Sequence, residues 1–165
     1  MDAFDADVLI YTAVPGDPLG RRVRALFPAE PVTAADRFAG VGSLLLLPEL
    51  LTKPLREGAA GEVAALAAFL GRIDLRAVDR ATAELATALG ASYGLRAADA
   101  VHLATAVLAG ADRFVTNNQV DFPRSISEID IVYPADLADP TGPWGGRHQR
   151  ERRLEVAGGS SPPRG

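Results

Sequence analysis

The sequence predicts an α/β domain with a parallel central sheet and helices on both faces. Short apolar runs of strand length alternate, almost throughout, with segments whose apolar residues recur at helical spacing. The chain has 165 residues, 48% of them hydrophobic and 23% charged, which suits one soluble domain with a buried core. No internal repeat interrupts this pattern.

The elements follow in order. Ala3 to Tyr11, with its apolar run Val8-Leu-Ile-Tyr11, reads as the first strand or its end, and Asp5 and Asp7 lie inside that segment. Pro15-Gly-Asp-Pro18 is a turn, Leu19 to Phe27 a short helix, and Pro28-Ala-Glu-Pro31 a break. Gly40 to Leu47 is an apolar run of buried-strand length, and Pro48 suits the first turn of a helix through Thr52. Between Gly58 and Gly71, Val63, Leu66, Ala67 and Leu70 keep helical spacing, and Ile73 to Val78 alternates like a strand. Asp79 is placed to cap a helix that runs to about Gly94. Arg96 to Gly110 is a further helix, and Arg113–Thr116 and Ile129–Tyr133 are the last strands. Tyr11 and Phe114 read as core.

Composition excludes several chemistries. There is no cysteine, so disulfides, thiolate metal sites and a cysteine nucleophile are ruled out. His102 and His148 are the only histidines, too few for a His-rich zinc site. Any metal chemistry falls to carboxylates, whose hard oxygens suit Mg²⁺ or Mn²⁺. The start of the chain shows no basic region leading into an apolar stretch, and no run of about 18 apolar residues occurs. The expectation is a cytoplasmic protein without a membrane span.

Charge is uneven. Residues 1–140 carry 12 Lys and Arg against 19 Asp and Glu, a net of −7; residues 141–165 carry five Arg against two Glu, a net of +3. A domain at −7 needs metal ions or local arginines to accept a polyanion. Arg21, Arg22 and Arg24 form one such cluster. Residues 139–165 read as a disordered Gly/Pro/Arg-rich tail after a folded unit of 1–138, either a solvated extension or an arm that contacts RNA or a partner.

In an open α/β sheet, ligands bind beyond the carboxyl ends of the strands. Asp5, Asp7, Glu49, Asp99 and Asp121 all fall near element ends that such a sheet brings together. Each alone has a plain structural role open to it, as a cap, a first-turn acid or a turn residue. Gathered together they repel and raise one another's pKa, and a divalent cation supplies the counter-charge.

Four segments carry a family resemblance: Phe4-Asp-Ala-Asp-Val-Leu-Ile-Tyr11, Ser43-Leu-Leu-Leu-Leu-Pro-Glu-Leu-Leu51, Gly94-Leu-Arg-Ala-Ala-Asp-Ala-Val-His-Leu-Ala-Thr-Ala106 and Phe114-Val-Thr-Asn-Asn-Gln-Val-Asp-Phe122. In that order they resemble the four motifs of PIN-domain nucleases, over about residues 1–135, and are most similar to the VapC-type toxins of toxin–antitoxin pairs. The resemblance implies a three-layer α/β/α domain with a mostly parallel sheet. It implies a Mg²⁺- or Mn²⁺-dependent endoribonuclease that leaves 5′-phosphate and 3′-hydroxyl ends. Asp5, Glu49 and Asp99 match the family's metal-binding acids, with Asp5 and Asp99 on the main ion. Asp7 stands where the family often has Asn or Ser, as a further ligand or a support. The fourth motif departs from the commonest pattern: Asn118 stands where many members have aspartate. Asp121 is the expected fourth acid, assisted by Asn118 and Thr116.

Other residues keep two readings. His102 is either a proton carrier or a partly buried residue that packs and hydrogen-bonds beside the site. Arg96 contacts phosphate or pairs with a carboxylate, and Thr12 is a weak candidate for a hydrogen bond near the first motif. Leu26, Phe27, Leu50, Leu51 and Leu55 belong either to the core or to an apolar dimer or antitoxin surface. The implied partners are RNA, a cognate antitoxin and a second copy of the chain. Two alternatives remain open. A haloacid-dehalogenase-type phosphatase would use Asp5 and Asp7, although Leu9 follows where Thr or Val is usual and Lys53 is the only lysine. A non-catalytic PIN-like binding module rests on Asn118.

Overall fold

The computed structural model describes residues 1–27 and 38–141. Of the tail expected to be disordered, residues 139–165, all but residues 139–141 lie outside the described residues. Five strands, β1 (Asp2–Phe4), β2 (Gly40–Ser43), β3 (Ile73–Arg76), β4 (Arg113–Val115) and β5 (Asp130–Val132), form one sheet in the order β3-β2-β1-β4-β5. Every neighbouring pair is parallel. Six helices accompany them: α1 (Ala6–Ala13), α2 (Pro18–Arg24), α3 (Leu46–Arg56), α4 (Ala60–Leu70), α5 (Arg80–Tyr93) and α6 (Ala97–Leu108). A 3₁₀ turn at Pro134–Asp136 follows β5. Among the described residues no helix is long and apolar enough to cross a membrane.

The strand period of two sorts the core into two faces. Ala3, Val41, Phe114 and Ile131 pack with Ala86, Leu89, Leu103 and Ala104 of α5 and α6. Their strand neighbours Phe4, Val115 and Val132 turn to the opposite face and pack with residues of α1–α4, among them Val8, Leu9, Val23, Leu46 and Leu66. The result is three layers, α1–α4, sheet, and α5–α6. Phe4 and Phe114 are fully buried, one on each face, and each contributes roughly 1.5–3 kcal/mol of transfer free energy.

The first strand is not where the apolar run suggested. β1 is Asp2–Phe4, and Val8-Leu-Ile-Tyr11 lies in helix α1. The Asp5 carboxylate accepts from the Ala6 N–H at 2.8 Å and caps that helix. Val8, Leu9 and Thr12 then form its buried stripe, and Tyr11 is half-buried rather than core. The second apolar run is also split. β2 ends at Ser43, whose Oγ accepts from the Leu45 N–H at 3.1 Å, and α3 begins at Leu46 and continues through Pro54 to Arg56. The other boundaries shift by a few residues at most.

Local signals placed the remaining helices. Asp79 caps α5 by accepting from the Thr82 N–H at 2.8 Å, and Gly94 ends that helix at φ +70°, where only glycine fits without strain. Helices α1 and α2 cross so closely that a Cβ on Gly20 would lie 2.0 Å from the Tyr11 carbonyl oxygen.

The strand order reverses at β1. The chain runs outward through β2 and β3, then resumes at β4 on the other side of β1. The crevice beyond the carboxyl ends of β1 and β4 is therefore the expected ligand site.

Candidate active site

The crevice is lined by acids from four separate elements. Asp5 follows β1 directly and is buried, at 5% exposure. Its Oδ2 accepts from the Thr116 hydroxyl at 2.7 Å, and its own N–H donates to the Val115 carbonyl at 3.0 Å. Asp7 sits in the first turn of α1 and accepts from the Asn117 N–H at 3.0 Å. Asp99 is half-buried in the first turn of α6, where the helix dipole favours a negative charge. Glu49 is in the first turn of α3, and its Oε2 meets His102 Nε2 at 2.7 Å.

The loop after β4 supplies the rest. Thr116 is fully buried, and its Oγ1 accepts from the Asn118 N–H at 3.1 Å while donating to Asp5. The Asn118 side-chain amide donates to Asp121 Oδ2 at 2.7 Å, and its Oδ1 accepts from the Asp121 N–H at 3.2 Å. Asn118 and Asp121 thus act as a unit.

Burial and mutual repulsion act together on these acids. Burial pushes the Asp5 carboxyl above its ordinary range, with the nearby Glu49 adding to the rise, while the hydrogen bonds from the Thr116 hydroxyl and the Ala6 N–H oppose it. Burial, then the Asp5 charge, pushes Asp7 up to about 7. Burial also raises Asp99, followed by the charges of Asp5 and Asp121. No arginine or lysine is among the main charges acting on these three groups. A divalent cation fits this donor set chemically, because its oxygens are hard, negative and uncompensated. Among the described residues, no three His, Asp or Glu side chains converge tightly enough to enclose an ion as they stand. Mg²⁺ tolerates such openness, since it keeps several waters and takes one or two carboxylates.

Asp99 feels the charges of Asp5, Asp121 and Glu49, and Asp7 those of Asp5 and Asp99; Thr116 bonds to Asp5, Asn118 to Asp121 and His102 to Glu49. Arg96 is the exposed N-cap residue of α6. Thr12 does not reach the site; its hydroxyl donates to the Leu9 carbonyl inside α1. The arginine cluster is engaged elsewhere. Arg22 donates to the Ala135 and Leu137 carbonyls, Arg24 to those of Thr12 and Val14, and Arg21 lies 3.9 Å from Asp139. Of the apolar candidates, Leu50 is buried, Leu26, Phe27 and Leu51 pack against the α1–α4 core, and Leu55 is 61% exposed. Sequence reasoning missed the Asn117 N–H, a backbone donor with no side-chain signature. It also missed Tyr133, whose hydroxyl donates to the Phe122 carbonyl and anchors the loop that carries Asp121.

The family model described as PIN domain matches residues 3–124, most of the chain and all four acidic segments. The chain belongs to the PIN domain family. Among solved structures, this PIN domain is similar to a chain described as "Toxin-antitoxin complex from Klebsiella pneumoniae", with a TM-score of 0.63 and 23% identity, covering 81% of this chain and 98% of that one. At that identity the likeness speaks for the fold. No curated protein matches the chain.

Proposed function

We propose that this PIN domain is a Mg²⁺- or Mn²⁺-dependent endoribonuclease and the toxin of a type II toxin–antitoxin pair. One observation carries the reading: Asp5, Asp7 and Asp99 share a crevice at the strand reversal, raised by burial and mutual repulsion, with no lysine or arginine among the main charges acting on them. Such a group is costly to keep unless a cation meets it in function. Asp5 and Asp99 would hold the main ion, Glu49 would bind it directly or through water, and Asp121 would orient a water or help hold a second ion. A bound divalent ion supplies neutralisation of the charge that develops on the phosphate.

The chain's own residues prepare those oxygens. Asp5 Oδ1 accepts from the Ala6 N–H and Oδ2 from Thr116, which fixes the carboxylate and leaves each oxygen a further lone pair. The Asn117 N–H fixes Asp7, and the Asn118 amide fixes Asp121. A cation at this site also explains how a domain with a net charge of −7 over residues 1–140 accepts RNA. The proposed partners are RNA, a cognate antitoxin and a second copy of the chain, and the proposed compartment is the cytoplasm. The solved relative described as a toxin–antitoxin complex supports the antitoxin. The phosphatase alternative loses its motif, because Asp5-Ala-Asp7 lies inside the PIN match.

The test is calorimetric titration of the wild type and Asp99→Asn with Mn²⁺, followed by incubation of both with a mixed RNA pool. Binding and cleavage in the wild type, both lost in the variant, are expected. Wild type that binds no Mn²⁺ overturns the nuclease reading in favour of a binding module.

A further inference from the structure

We infer that His102 is a positioning residue: its buried imidazole fixes the Glu49 carboxylate, and so sets how well Glu49 serves the divalent ion proposed above. The inference rests on that reading and specifies how one of its acids is held.

The geometry is asymmetric. The Glu49 side chain is 34% exposed, while that of His102 is 1% exposed, and 2.7 Å separates Glu49 Oε2 from His102 Nε2. A glutamate on the first turn of a helix has three side-chain torsions and loses rotamer freedom when it must present an oxygen in one place. The imidazole is locked on α6, between Val101 and Leu103, within a run from Ala100 to Ala106 in which only Val101 is not fully buried. It is the rigid partner of the pair, and it ties the start of α3 to the helix that carries Asp99.

The other ring nitrogen decides between the two roles open to this residue. His102 Nδ1 is buried and has no hydrogen-bond partner. A histidine that carries protons is commonly oriented by a carboxylate or carbonyl at the nitrogen opposite its working one. Here nothing stands there to accept a hydrogen, so a hydrogen on Nδ1 would be buried and unsatisfied. The hydrogen sits on Nε2 and is donated to Glu49. One oxygen, Oε2, is occupied in this way, and Oε1 is left for another partner. Partners of this kind, which orient a metal-binding group from behind, typically change metal affinity by about 10- to 100-fold when removed.

Three full-length proteins test this: wild type, His102→Gln and His102→Leu. Glutamine offers an N–H at a reach similar to Nε2, and leucine fills the space without a donor. Mn²⁺ affinity is measured by calorimetry, and the imidazole tautomer of the wild type by ¹⁵N NMR. The expected result is an Nε2–H tautomer, affinity at least about 10-fold weaker in His102→Leu, and affinity within about threefold of wild type in His102→Gln. Equal loss in both variants, or no loss in His102→Leu, overturns the inference. So does an Nδ1–H tautomer, which is read on wild type even if neither variant folds. Wild type that binds no Mn²⁺ overturns the metal reading and this inference together, whereas wild-type binding with His102→Leu at full affinity overturns this inference alone.

Discussion

The two ends of the same pair of strands treat their acids in opposite ways. At the amino ends of β1 and β4, Asp2 takes a two-pronged bond from Arg113, at 2.7 and 3.0 Å, and Asp112 pairs with the N-terminal ammonium of Met1. Those pairings hold Asp112 below its ordinary range and Arg113 above its own. At the carboxyl ends, three and five residues after Asp2, Asp5 and Asp7 meet hydroxyl and amide donors but no arginine or lysine among their main charges, and they are raised. Every acid at the first end is balanced within the fold. The second end keeps an excess of negative charge that stability alone does not explain. Proximity of acids is therefore a weak sign of function, and lack of internal compensation is the stronger one.

Crossing the two ends breaks or sharpens the comparison. Asp99→Asn should have the largest effect, a loss of RNA cleavage on the order of 10³-fold, since several kcal/mol of charge stabilisation depend on the ion and each 1.36 kcal/mol is tenfold. Its melting temperature should equal or exceed that of wild type, because a raised, repelled carboxyl is removed. Melting well below wild type would make Asp99 a structural acid and erase the contrast.

Asp7 gives the pH form of the same argument. Its folded-state value of about 7 lies above the ordinary 3.8, so folding favours its protonated form. That contribution is fully present below about 3.8 and is lost as pH rises through about 7, an effect of a few kcal/mol. In metal-free buffer with a chelator, thermal stability should fall between pH 4 and 8, and Asp7→Asn should flatten the slope. An unchanged slope in the variant would remove Asp7 from the uncompensated set.

At the balanced end the expectations reverse. Asp2→Ala strips Arg113 of a two-pronged partner on side chains that are 17% and 34% exposed. A loss of about 2 kcal/mol is expected in chemical denaturation. Mn²⁺ affinity and cleavage should be unchanged, and a drop in either would show that the two ends are coupled through the strands.

Much of this was legible in the sequence where the signal was local. Asp79 and Gly94 bracket α5 because a cap and a left-handed glycine act on their immediate neighbours. The acids at 5, 49, 99 and 121 stand out because each sits at an element end. The first strand was misread because β1 has only three residues, too few to show a period, while Val8–Tyr11 is as apolar as a strand. Only Asp5 as a cap separates the two, and its role depends on burial by partners far along the chain. The engagement of Arg22 was hidden for the same reason. Arg22 is spent on carbonyls more than a hundred residues away, and no spacing reveals them.

Thr116 offers the finest test of how the carboxyl end is held. Its hydroxyl is the one side-chain donor to Asp5 among the described residues and also accepts from the Asn118 N–H, so it joins the first motif to the last. Thr116→Val keeps the shape and removes both bonds. Asp5 then keeps its burial and its repulsion from Glu49 but loses a donor that opposes them. Stability should fall by about 1 kcal/mol, and Mn²⁺ affinity by about 10-fold. Thr116→Ser, which restores the hydroxyl, should recover most of the affinity. If valine cost stability alone, Thr116 would be a packing residue, and neutral donors would not be what makes this end of the sheet tolerate its charge.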